Sequence, residues 1–134
     1  MRDKGTGKVT NTAAHEGWVL SAALTEFAED GEFDLIREIV DLFLSDTGEK
    51  IEALQNAVLA CNIAGAQRIA HSLKGAARQM GLIRLADGAE GLERRMPGTD
   101  SAILISLVHG ITERWRDAKQ SIVETRDAMP CNRT

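Results

Sequence analysis

Tyrosine is absent from this chain of 134 residues, and three phenylalanines and two tryptophans bring the aromatic content to only 4%. Surfaces that bind sugars or stack nucleobases are built on aromatic rings, so the composition argues against both. Cysteine is scarce as well. Cys61 and Cys131 show neither metal-site spacing nor the framework of a small disulfide-stapled domain, and reduced thiols are expected. No sign of charge dominates: the formal net charge is −4, and no basic run marks a nucleic-acid footprint. No stretch reaches the roughly 20 apolar residues that span a bilayer, and no apolar run follows the charges at the N-terminus. A cytoplasmic protein without membrane or nucleic-acid partners is the expectation. The two prolines leave long stretches free of the strongest helix breaker.

A hydrophobic content of 43% is enough for one core, and the length fits one domain. Residues 1–17 are polar and glycine-containing and read as a mobile tail, 18–128 as the domain, and 129–134 as a C-terminal tail. Within the domain the apolar residues recur at helical spacing and nowhere alternate with a period of two. A short helix is expected over Trp18–Ala28, stopped by Asp30-Gly31. A long one follows over Phe33–Leu59, with Leu35, Ile36, Ile39, Leu42, Phe43, Ile51, Leu54, Ala57 and Val58 as its stripe and Gly48 as a possible bend. Further helices are expected over Ile63–Met80, Leu82–Met96 and Asp100–Ala128, with breaks at Gly81 and Pro97-Gly98. The predicted fold is all-α, an up-and-down antiparallel four-helix bundle with a short additional N-terminal helix. Trp115 is assigned to the core, and Trp18 to the core or a bundle end.

One residue is misplaced for a purely structural helix. On a wheel of about 100° per residue, Ala66, Ile69, Leu73, Ala76 and Met80 share one face, and His71 lies opposite them, toward solvent. Gln67, Arg68, Lys74 and Gly75 surround it within one turn, and Arg78 lies two turns on. An exposed imidazole is largely neutral near pH 7, and a neutral ring nitrogen is a nucleophile. Phosphorylation there would add negative charge, which a lysine and two arginines can compensate. Glycine inside a helix costs about 1 kcal/mol relative to alanine; Gly75 removes a side chain beside the histidine and lets another protein approach. If the next helix runs antiparallel, Glu93 can accept a hydrogen bond from the Nδ1–H of His71 and leave Nε2 free to attack.

The run Ala70-His71-Ser72-Leu73-Lys74-Gly75, with Gly81, Leu82, Leu85 and Leu92-Glu93 downstream and Leu42-Phe43-Leu44 and Ile51-Glu52-Ala53-Leu54 upstream, resembles the histidine-containing phosphotransfer (HPt) domains of multistep two-component relays. The resemblance covers about two-thirds of the chain. It implies that His71 accepts a phosphoryl group from one aspartate and gives it to another, that Lys74 helps hold the phosphate, that Gly75 allows docking, and that Glu93 orients the imidazole. The implied partners are response-regulator receiver domains and a hybrid sensor histidine kinase, with the divalent metal on the receiver. No intrinsic cofactor or metal is expected in this chain, which is expected to be a monomer without kinase activity of its own. Gln67, Arg68, Arg78 and Gln79 are the candidate docking residues, and Leu20, Leu24 and Phe27 of the first helix a candidate apolar complement.

The chain departs from the family pattern at Arg78 and Gln79, where small or short polar residues are usual, and at Asn62, where an acidic residue is common; Asn62 can still cap the helix. His15 and His109 are read as incidental, without a carboxylate or cysteine at ligand spacing, and the absence of Glu-x-x-His argues against a metal site in the bundle. Other readings are a helical module that binds and regulates a kinase or receiver without carrying phosphate, and an isolated phosphoacceptor domain of a kinase. The Met1 start and short polar tail lean against the last.

Overall fold

The computed structural model describes residues 22–130. Helices α1 (Ala22–Glu29), α2 (Phe33–Leu59), α3 (Ile63–Gln79), α4 (Ile83–Arg95) and α5 (Ser101–Asp127) follow one another, and there is no strand among the described residues. The short connections reverse the chain each time. Contacts join α2 to α3, α3 to α4, α4 to α5 and α5 back to α2, while α1 packs on α2, so the fold is the expected antiparallel four-helix bundle with one short added helix. Expected helix ends agree to within a residue wherever they are described. The N-terminal tail, Trp18, Leu20 and Cys131 lie outside the described residues.

Three of the reversals share one device. The chain leaves each helix through a left-handed residue, and the following N–H returns to a carbonyl of the last turn. Gly31 and Gly81, both at φ 78°, serve in two of them. The bonds are Glu32 N to Phe27 O at 2.9 Å and Leu82 N to Ala77 O at 2.8 Å. Between α2 and α3 the left-handed residue is Cys61, at φ 59°, with Asn62 N donating to Ala57 O at 2.8 Å. Asn62 then caps α3, its Oδ1 accepting from Gly65 N at 3.1 Å, the capping role read from the sequence.

The core is aliphatic, with Ile36, Val40, Leu54, Leu73, Leu85, Leu92 and Ile122 fully enclosed. Trp115 is buried and meets Phe43 edge to face, with ring centroids 5.9 Å apart. Several assignments need correction. On α2, Leu35 and Leu42 are 37% and 71% exposed. Val40 and Thr47 are buried in their stead, and the Thr47 hydroxyl has no hydrogen-bond partner among the described residues. Leu24 is buried in the core and is not a free docking complement, while Phe27 packs against the core and stays half-buried. At the C-terminal end Met129 packs against the core, and Arg37 Nη2 donates to the carbonyls of Met129 at 2.9 Å and Pro130 at 2.6 Å.

The buried face of α3 is rotated toward α4 from its expected position. Ala70 and Ala77 are fully enclosed, whereas Ile69 and Ala76 are half-buried. Ala86 and Ala89 of α4 are buried too. Small side chains let two helix backbones approach, and α3 and α4 are the most closely packed pair in the bundle.

Candidate functional site

That close pairing brings a carboxylate of α4 to the histidine of α3. His71 sits in the middle of α3, its side chain 68% exposed, with Nδ1 2.9 Å from Glu93 Oε2. Lys74, one turn on, donates from Nζ to Glu93 Oε1 at 3.0 Å. The two oxygens of one carboxylate are therefore divided between the imidazole and the ammonium. Glu93 is 26% exposed and Lys74 only 17%.

The hydrogen bond from Lys74 holds the Glu93 carboxyl below the ordinary carboxylate range; burial opposes this and the His71 contact adds to it. An ionised carboxylate can only accept. The hydrogen in the His71–Glu93 bond consequently belongs to Nδ1, and in the neutral ring Nε2 keeps its lone pair. Beside the imidazole, a Cβ added at Gly75 would meet nothing within 4 Å among the described residues, which leave this side of the helix open to a macromolecule.

Gln67 and Arg68 wall a shallow recess together with His71, Ser72 and Glu93. The other two docking candidates lie apart from it. Arg78 reaches across to α4, where Nη2 donates to Glu90 Oε1 at 2.8 Å, and Arg94 Nη1 donates to the other oxygen of Glu90 at 3.4 Å. Gln79 is exposed at the end of α3, more than two turns from His71. Sequence reasoning missed Glu90 and Arg94. The available signal was spacing, because Ala86, Glu90 and Glu93 follow one another by four and three residues and so share a face of α4. His109 also needs correction: Glu113 lies one turn away, with its Oε2 3.9 Å from Nε2. The pair is exposed, and no group of three metal-ligating side chains occurs among the described residues.

Fold and site together define a helical-bundle domain that presents one carboxylate-backed imidazole on an open surface. The family model for the Hpt domain matches residues 38–122, a span that includes His71, Lys74 and Glu93. The chain belongs to the Hpt domain family, the histidine phosphotransfer modules. No curated protein and no solved structure matches it. Among the described residues no helix is long and apolar enough to cross a membrane.

Proposed function

We propose that this chain is a phosphohistidine carrier that moves a phosphoryl group between aspartates of receiver domains in a phosphorelay. The observation that carries the reading is the bond from His71 Nδ1 to Glu93, which leaves Nε2 as the nucleophile on the open side of α3. In the accepting step the Nε2 lone pair attacks phosphorus and the P–O bond to the donor aspartate breaks. The aspartate leaves as a carboxylate, and Nδ1 keeps its proton against Glu93, whose charge stabilises the imidazolium so formed. Donation to the next aspartate is the reverse.

In this reading Lys74 keeps Glu93 ionised and adds to the positive field, and Gly75 admits the partner. Arg68 and Gln67 border the transfer site. Arg78 and Gln79 belong to the outer docking rim, where Arg78 favours a partner with an acidic edge. The receiver supplies its acidic pocket and a divalent metal, and a hybrid sensor histidine kinase supplies the phosphoryl group upstream. The domain acts as a cytoplasmic monomer and holds no cofactor of its own.

The test is intact-mass measurement after the protein is mixed with a phosphorylated receiver and magnesium, beside a His71→Gln control. The expected result is a gain of one phosphate that acid removes, base spares and the variant lacks. No gain across a panel of receivers that bind the folded protein would replace the carrier by a regulatory binding module.

A further inference from the structure

Three cations stand within two turns of His71 on α3, and two are already held. Lys74 is bonded to Glu93 and Arg78 to Glu90. Arg68 is exposed and makes no hydrogen bond or ion pair among the described residues. We propose that Arg68 is the principal cation that meets the phosphoryl group on His71, an assignment that rests on the carrier reading.

Placement supports it. Side chains on a helix lean toward its N-terminus, so the ring of His71 covers the turn that holds Gln67 and Arg68. Those two residues, with Ser72 and Glu93, wall the recess beside the imidazole, and Lys74 does not line it.

The balance of charge points the same way. Glu93 faces that recess, and a phosphoryl group beside it would be repelled by an uncompensated carboxylate. Lys74 is already committed to Glu93, and moving it toward the phosphoryl group would weaken the bond that keeps that carboxylate ionised. Arg68 can turn to the phosphoryl group without breaking any bond, and its planar guanidinium fits two phosphoryl oxygens at once. The site thereby divides its cations: lysine serves the carboxylate that orients the ring, and arginine serves the transferred group. Arg68 also borders a second recess lined by Asp46 and Glu49 on α2, where Asp46 is paired with Lys50. A purely structural role for Arg68 would therefore be felt as lost stability.

The experiment loads the protein from phosphoramidate, which releases ammonia as the Nε2–P bond forms, and follows the phosphorus resonance against pH for wild type, Arg68→Ala, Arg68→Lys and Lys74→Ala. Thermal melts accompany each sample. With Arg68→Ala the second ionisation of the phosphoryl group moves upward by roughly half a pH unit, as loss of a nearby cation requires. In exchange with a receiver, the phosphorylated fraction relative to free domain falls about fivefold, the scale of one charge-assisted contact at a surface. Arg68→Lys recovers part of both, Lys74→Ala moves the ionisation less, and Arg68→Ala melts like the wild type. A wild-type titration in Arg68→Ala, or a shift confined to Lys74→Ala, overturns the assignment, as does a lowered melting temperature with an unchanged titration. If wild type itself takes no phosphate from either donor, the carrier reading fails first and Arg68 loses its role with it.

Discussion

At the scale of single residues, Glu93 ties the chemistry of the site to the stability of the bundle. Its carboxyl is held low chiefly by Lys74, with His71 acting in the same direction. A carboxyl whose pKa is lower in the folded than in the unfolded state contributes stability above the unfolded value, and the contribution is lost as pH falls through the folded value. The ordinary value for this group is 4.5. The wild type should therefore melt above Glu93→Gln near neutral pH, and the gap should begin to close below about pH 4.5 and vanish in stronger acid. Paired thermal melts between pH 7 and 3 measure it; a gap constant across that range would mean that the carboxylate charge contributes nothing. Glu93 was legible in the sequence as a possible partner of His71, because both fall on surfaces that an antiparallel α3–α4 pair can turn toward each other. Its sharing with Lys74 was not, because spacing along one helix does not say which side chain of the next will be within 3 Å.

At the scale of elements, the turns carry the clearest instruction and one imperfection. Gly31 and Gly81 occupy left-handed positions that glycine adopts freely, while Cys61 does the same work with a side chain attached. A non-glycine residue in that region is strained by about 1–2 kcal/mol, and glycine returns part of the difference as unfolded-chain entropy. Cys61→Gly should raise stability by about 0.5–1 kcal/mol, seen as a higher urea midpoint with an unchanged slope; Cys61→Val should lower it. The helix ends were readable because Gly81, Asn62 and Pro97-Gly98 are local signals. The faces were less so. Leu42 has the apolar character and the spacing of the buried stripe of α2, yet burial follows where the neighbouring helices lie, and they cover Val40 and Thr47.

At the scale of the whole molecule, the spacing between α3 and α4 decides whether there is a site at all. Ala70 and Ala77 on one helix and Ala86 on the other are enclosed, and Ala86 shares its stripe with Glu90 and Glu93, which reach His71, Lys74 and Arg78. A larger side chain there must push the helices apart. Ala86→Leu should cost about 1–3 kcal/mol, as overpacking of a filled interior does. Phosphoryl uptake at His71, measured at a temperature where the variant is still folded, should fall with it. A variant that loses stability but loads phosphate at the wild-type rate would show that the helix spacing is not what orients the imidazole. Such coupling between core volume and surface chemistry is invisible in a sequence read one helix at a time.

The sequence by itself determined that the chain is helical, where its helices turn, and that His71 faces solvent beside Lys74 and Gly75. Each follows from interactions over a few residues: periodicity, capping and left-handed turns. Only the tertiary structure decided how α3 rotates toward α4, that Glu93 is shared by His71 and Lys74, that Arg78 is held by Glu90, and that Arg68 is left without a partner among the described residues. Those outcomes depend on how closely two helix surfaces approach. That distance is set by the packing of alanines in the core, so no spacing along either helix could specify which charges meet across it.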